Sequence, residues 1–510
     1  MAKYEIKEGV GIIPEGTTKI EPSLFENKDK ITSVIIPDSV TEIGVDSFAG
    51  CENLKKVTIP SSVTTIEDGA FWCCKSLTKI VIPKSVNKIG HSIVAGCDNL
   101  KSIVVEQGNK TYDSRDNCNA IVETATNCLV ASCTKTTIPT SVTEIGIAAF
   151  RTAAHLKEIT IPSHVTKIGS DAFSQCENLK KVTIPNSVTE IGEYAFCACE
   201  SLGSITIPDS VSKIAEGTFY QCSGLTNIIL PHSIKEIGTG AFSECTNLTS
   251  ITIPDSVTKI EDQTFFKCKS LTDITLPSSV KTIGNGAFAI TSLRTITIPD
   301  SVVKIDKNAF AVCSQLKSIN LPDSVTEIGE NAFKSAKALK TIQVPEGKED
   351  KFKKLLPEEL HNLIGKKVED ASPVVQTTEE TPEKLCEKIK KELDKQGKQS
   401  FIMYAAKTNK KVKKSDIDED EYIDNYYVDC RLALFDAGNY SRIVSVDGVL
   451  VEDGNLKFYL SLYHCDDNGD DYQESWKEDL NGMLNGWWKK SQDFRPAAVL
   501  KTYLEAILQF

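Results

Sequence analysis

The 510-residue chain has no stretch of about 18 consecutive apolar residues, so no transmembrane segment is expected. Its N-terminus, MAKYEIKEGVGIIPEG, lacks the apolar core of a signal peptide. Location is therefore open between a chain that stays inside, one that leaves by another route and one whose leader has been removed. A basic balance is also missing. Lys and Arg number 58 against 70 Asp and Glu, a formal net charge of −12, which argues against a general binder of nucleic acid or of anionic membrane. There is no P-loop, no G-x-S-x-G, no H-E-x-x-H and no dinucleotide fingerprint. No catalytic residue, metal site or cofactor is assigned, and the expectation is a protein that is not an enzyme.

What the chain has is a repeat. From Pro14 to Pro345, prolines that close an apolar pair recur every 23 residues, with one step of 22 (Pro277 to Pro299) and one of 56 (Pro83 to Pro139), the latter being one repeat of 23 plus a unit of 33. A fixed period in this range means stacked supersecondary units. After Pro162, the residues Val165, Ile168, Gly169, Phe173, Cys176, Leu179, Val182 and Ile184 recur in register with Val188, Ile191, Gly192, Phe196, Cys199, Leu202, Ile205 and Ile207. One unit alone cannot bury this set; stacking makes a continuous core.

Within the unit, LKKVTIP at 54–60 predicts a short strand with Leu54, Val57 and Ile59 inward and Lys56 and Thr58 outward. The proline ends ladder pairing. PDS, PSS or PNS then makes the turn, with Asp, Asn or Ser bonding the local backbone. SVTEIG reads as a second short strand whose glycine takes a positive φ. The AF..C..L segment closes the coil as a single helical turn.

The pattern L-x-x-I-x-I-P-x-S-V-x-x-I-G-x-x-A-F-x-x-C, running from about Ile12 to Val344, resembles the leucine-rich repeats of BspA-like proteins of Bacteroidetes, treponemes and some parasitic protists. The 33-residue unit at 106–138 looks like the insertion typical of Bacteroidetes members, and AIVE and CLVAS around TATN read as a hairpin. The resemblance implies an α/β-type, right-handed, mostly β solenoid with a parallel sheet on its concave face. It also implies a cell-surface adhesin or host-protein-binding role without enzymatic activity. The protein partners would be host surface or matrix proteins.

Nine of the 17 cysteines hold one repeat position: Cys51, Cys74, Cys97, Cys176, Cys199, Cys222, Cys245, Cys268 and Cys313. A metal ladder or disulfide framework would not accept alanine, yet Ala153 and Ala336 stand at the same position, which favours packing as small hydrophobes. Cys73 and Cys197 are expected to be more exposed. A bridge among Cys118, Cys128 and Cys133 stays open, and so does the redox compartment.

The outward strand residues are the candidate binding set: Lys56, Thr58, Lys79, Glu158, Thr160, Lys181, Thr183, Thr206, Asn227, Thr252, Asp273 and Thr275. The threonine row also follows from β-propensity alone, so the varied row, with lysines toward the N-terminal half, is the better candidate. Few aromatic anchors are on this face, and broad polar contact is expected.

Residues 1–36 read as an N-terminal cap with a degenerate first repeat, 37–345 as the solenoid, 346–368 as a helical C-terminal cap, 369–382 as a linker and 383–510 as a small α+β domain. In that domain EKLCEKIKKELDKQ and PAAVLKTYLEAILQF read as helices. SFIMYAA, YYVDCRLALF, SRIVSVDGVLV and LKFYLSLYH read as strands. DIDEDE at 416–421 reads as a charged loop. DDNGDD at 466–471 reads as a hairpin turn, because Asp471 and Lys477 replace the glycine and the acid that a calcium loop needs. Trp476, Trp487, Trp488 and His464 carry no assignment beyond packing. Two functions follow: a protein-binding scaffold, or an intracellular effector or sensor in which the repeats select a target and the C-terminal domain acts.

Overall fold

The computed structural model describes residues 4–365 in full and, within 401–479, the backbone of the strands alone. The chain divides into a unit ending at Asp370 and one beginning at Ala371. The first is a β-solenoid of the right-handed type with about 15 turns, mostly strand with little helix. Its coils contain no α-helix, so the α/β label on the solenoid is corrected.

Each 23-residue unit forms one coil carrying two short strands, and each strand pairs in parallel with its counterpart one coil on. Glu158–Thr160 lies beside Lys181–Thr183 in the first sheet, and Glu144–Ile145, Lys167–Ile168 and Glu190–Ile191 lie side by side in the second. Alternation sets the faces: Leu54, Val57 and Ile59 are buried while Lys56 and Thr58 are exposed. The turn after each proline closes with the N–H of the residue three positions on, usually valine, donating to the proline carbonyl, as in Val165 to Pro162 at 3.0 Å.

Three local expectations are corrected. The third side of the coil is not a helical turn. The N–H groups of Asp171, Phe173 and Gln175 donate to the carbonyls of Glu193, Ala195 and Cys197 in the next coil at 2.7–2.9 Å. Donors spent between coils cannot close i→i−4 bonds within one. The segment instead alternates through two left-handed residues per coil, such as Asp171 (φ 55) and Gln175 (φ 61).

The glycine of SVTEIG does not take a positive φ. It is required because coils approach closely there: a Cβ on Gly192 would lie 2.4 Å from the Ser170 nitrogen, and one on Gly44 would lie 2.5 Å from the Ile20 oxygen. Side-chain-bearing residues at this position, Glu21, Glu67, Ala215, Glu261 and Asp306, are each followed one coil on by glycine. Finally, the serine of the turn does not bond its own backbone. Ser187 Oγ donates to the Val165 carbonyl of the preceding coil at 2.6 Å, and Ser62, Ser85, Ser233 and Ser279 do the same in theirs.

Phenylalanines stack up the centre. Ring centroids from Phe150 to Phe333 are 5.2–5.7 Å apart and within 13° of parallel, and Phe25, Phe48 and Phe71 form a shorter stack. Val94 interrupts the column, and the 33-residue unit follows. That unit holds the expected hairpin, Ile121–Glu123 antiparallel to Cys128–Ala131. Its second strand then joins the second sheet beside Glu144–Ile145. The hairpin stands as a wall with both sides buried: Ile121 and Ala131 belong to the N-terminal core, whereas Val122 and Leu129 belong to the C-terminal core.

The ends are closed by different means. At the start, Glu5–Lys7 pairs antiparallel with Val10–Ile12, and Ile20, Phe25 and Ile31 of the degenerate unit are fully buried. At the other end, helix α1 (Glu349–Leu355) buries Phe352 under the last coil, and a 3₁₀ segment covers Glu358–Leu363.

In the second unit, Phe401–Thr408, Tyr427–Phe435, Ser441–Val451, Asn455–Cys465 and Asp471–Asp479 form an antiparallel sheet in that order. The strands flanking DDNGDD place Cys465 opposite Asp471. The expected helices, DIDEDE, and the side chains of Trp476, Trp487, Trp488 and His464 lie outside the described residues.

Candidate partner-binding face

The first sheet puts its candidate residues on one face. Lys56, Thr58, Lys79, Glu158, Thr160, Lys181, Thr183, Thr206, Thr252, Asp273 and Thr275 are exposed and Asn227 is half-buried. Register brings some of them together: Glu158 lies opposite Lys181 and Thr160 opposite Thr183, and Thr252 opposite Thr275. Thr206 and Asn227 lie beside Ile229 and Ser204. Lys56 and Lys79 sit on the N-terminal side of the hairpin wall, and the other charged members of the set sit beyond it.

The face has two characters. Beyond the wall the row two residues before each proline is threonine, apart from Ile229, Asn320 and Gln343. Before the wall it reads Ile12, Ile35, Thr58, Val81 and Val104. Ile12 pairs with Ile35 and Val81 with Val104. Ile35 is 57% exposed and Val104 37%, while Ile12 and Val81 are half-buried. Sequence reasoning singled out the lysines and threonines but passed over Ile12 and Ile35. The signal was in the column of residues at one repeat position, where threonine gives way to aliphatic side chains.

The second sheet is organised differently, and its pattern went unread in the sequence. Its outward row runs Lys19, Glu42, Thr65, Lys88, then Glu144, Lys167, Glu190, Lys213, Glu236, Lys259, Thr282, Lys304 and Glu327. Signs alternate, so neighbours attract. Lys19 meets Glu42 at 2.7 Å, Lys213 meets Glu236 at 2.9 Å, and Lys167 lies between Glu144 and Glu190. Where threonine breaks the alternation, acids two positions along supply the partner: Glu67 to Lys88, Glu261 to Lys259 and Asp306 to Lys304. Every lysine of this row thus has a carboxylate. Lys56 and Lys79, which open strands of the first sheet, and Lys55 and Lys101, each one residue before such a strand, make no ion pair among the described residues.

The remaining chemistry-bearing groups are inert or small. All 14 described cysteines are free thiols, and the nine at the repeat position are buried, so the 118–133 bridge is not formed. Burial pushes Cys51 up to about 11 and Cys176 up to about 12, far from a neutral-pH nucleophile. Cys73 and Cys197 are half-buried. No cluster of three His, Cys, Asp or Glu suited to a metal occurs among the described residues. A cavity of about 20 Å³ opens beside the hairpin wall between Gly96, Cys133 and Arg151, room for about one water molecule and too little for an organic ligand. No described helix is long and apolar enough to cross a membrane.

Comparison with known proteins follows the repeats. A family model described as the BspA type leucine rich repeat region (6 copies) matches residues 18–128, 120–249 and 236–354. Among solved structures, the chain is similar to a leucine-rich repeat protein from Bacteroides ovatus at 30% identity, covering 66% of this chain and 79% of that one with a TM-score of 0.45. It is similar to one from Eubacterium ventriosum at 26% identity, covering 57% and 92%, with a TM-score of 0.44. A leucine rich cell surface protein from Faecalibacterium prausnitzii aligns at 25% identity over 65% and 64% of the two chains, with a TM-score of 0.27. No curated protein matches the chain.

Proposed function

Because the chain belongs to the BspA-type leucine-rich repeat family, we propose that its solenoid is a scaffold that binds another protein across the outward face of the first sheet. The fold is typically a non-enzymatic scaffold, and we read this one in the same way. The observation that carries the reading is the contrast between the sheets. The lysines of the second sheet's outward row are neutralised by carboxylates of the same array, whereas the first sheet leaves Lys56 and Lys79 without such a partner and Ile35 and Val104 of its aliphatic row exposed. Unpaired positive charge beside exposed apolar area is a surface complementary to an acidic, apolar patch on a partner. We further infer an adhesin-like use, recognition of host surface or matrix proteins.

The test is binding of the full chain to a panel of purified matrix proteins, with Lys56→Glu, Lys79→Glu and Lys181→Glu combined in one variant. Binding should weaken at least tenfold, while the charge swap Lys213→Glu with Glu236→Lys on the second sheet leaves it unchanged. Binding indifferent to the triple reversal overturns the face assignment. Protease shaving of intact source cells tests display: an array spared until lysis overturns the adhesin-like use.

A further inference from the structure

The N-terminal part of the first sheet has a shape and chemistry narrower than "binds protein". Resting on the reading above, we propose that coils one to five dock an amphipathic α-helix of a partner protein, with its apolar stripe on Ile12, Ile35, Val81 and Val104 and a border of carboxylates on Lys55, Lys56, Lys79 and Lys101.

Three observations carry this. First, the aliphatic row runs across the strands, along the stacking direction. Coils recur about every 4.8 Å, so the row from Ile12 to Val104 is about 19 Å long. An α-helix laid along it repeats its face about every 5.4 Å, within about 0.6 Å of the coil spacing, so successive turns meet successive coils. An extended peptide repeats its face about every 6.7 Å and falls out of step by about 2 Å per coil. Second, the border is one-sided. Lys56 and Lys79 lie two residues before Thr58 and Val81 on the same strand face, and Lys55 and Lys101, exposed, each precede a strand of this sheet by one residue. On the opposite border stand Glu15, Asp38, Ser61 and Lys84, so a helix with acids along one edge fits in one orientation only. Third, these lysines lack partners in a chain with a surplus of carboxylates. With 70 acidic side chains against 58 basic ones, and with a carboxylate on each lysine of the second sheet's row, four exposed lysines without an ion pair beside an open aliphatic row are a complementary surface for acid on another molecule. The hairpin wall marks where this surface ends, because the row beyond it turns to threonine.

The experiment uses the full chain and defined probes: a synthetic amphipathic helix of about four turns with a Leu stripe bordered by Glu, the same helix bordered by Lys, and the Glu-bordered helix with its stripe changed to Ser. Fluorescence anisotropy is read at low and high salt, with phosphatidylcholine vesicles containing phosphatidylserine as competitor. The Glu-bordered apolar helix should bind best and lose affinity with salt. Ile35→Asp and the pair Lys56→Glu with Lys79→Glu should each weaken it at least tenfold, with the milder Ile35→Ser reporting on folded protein. Equal binding of the Lys-bordered helix, or indifference to these substitutions, overturns the proposal. Displacement by the vesicles through the same residues overturns it in favour of a membrane surface. If no helix binds while a matrix protein still depends on Lys56 and Lys79, the helix chemistry is wrong and the scaffold reading stands; if neither binds, both fall.

Discussion

Cys222 donates its thiol proton to the carbonyl of Phe196, 26 residues earlier, at 3.0 Å. The same bond recurs from Cys51 to Phe25 and from Cys268 to Phe242. The repeat cysteine therefore fills a small buried site and also gives a second hydrogen bond to a carbonyl of the coil before it, which already accepts a backbone N–H of its own coil. Alanine does the first and not the second. Cys222→Ala should cost about 1–2 kcal/mol in chemical denaturation, from the lost sulfur contacts and the lost thiol bond to a carbonyl that keeps only the Cys199 N–H as donor. A loss above about 4 kcal/mol would mean the thiol does more than pack and donate.

Glycine after the second strand is a question of space. Gly192→Ala would place a methyl 2.4 Å from the Ser170 nitrogen, and backbone cannot retreat as a side-chain end can. The expected loss is about 1–3 kcal/mol. Gly203→Ala, with nothing within 4 Å of the added carbon, should stay within about 0.5 kcal/mol. Paired thermal melts check both, and equal effects would rule out the close-approach account.

Val312 holds a left-handed conformation at φ 59 with 45% of its surface exposed. A β-branched residue is strained there, whereas asparagine tolerates the region. Val312→Asn should stabilise the array by about 0.5–1 kcal/mol. A destabilised variant would show that the valine makes contacts worth more than the strain.

Asp323 ties the C-terminal cap to the last coils through Lys348 at 2.8 Å and Lys351 at 3.1 Å. Those two ammonium groups hold its carboxyl below the usual range. A carboxylate with a lowered folded-state value stabilises the fold above its unfolded value of about 3.9, and the contribution fades as pH falls through the folded one. The protection of α1 amides, taken relative to the intrinsic exchange rate at each pH, should therefore fall on acidification below about pH 4. Asp323→Asn should exchange faster than the parent at neutral pH and match it at the acid end. A difference that persists in acid would detach the effect from ionisation.

Much of one coil was legible in one unit of sequence. The inward set of Leu54, Val57 and Ile59, the outward Lys56 and Thr58, the second strand, the hairpin at 121–131 and the buried cysteines all follow from periodicity and residue type. What escaped shares a single cause. The bonds of Ser187 to Val165, of Cys222 to Phe196 and of Phe173 to Ala195, and the contact of Gly192 with Ser170, join residues 22 to 26 apart. A reading within the unit assigns each group to its own turn. In the fold the nearest partner is one coil away, because coils stack closer than a turn is wide. The aliphatic row of Ile12 and Ile35 and the alternating Lys and Glu likewise emerge only when the same position is read from coil to coil.

The alternating charges of the second sheet have a parity. Lys167, Glu190, Lys213, Glu236 and Lys259 attract because each neighbour has the opposite sign. Copying one coil in place would set lysine beside lysine or acid beside acid, which is unfavourable on adjacent strands. Copying two would leave every neighbour as before. Thr65 and Thr282, which carry no charge, stand where the sequence of signs is interrupted. An array built on this row therefore lengthens without electrostatic penalty in steps of two coils, and odd steps are accommodated at a neutral residue.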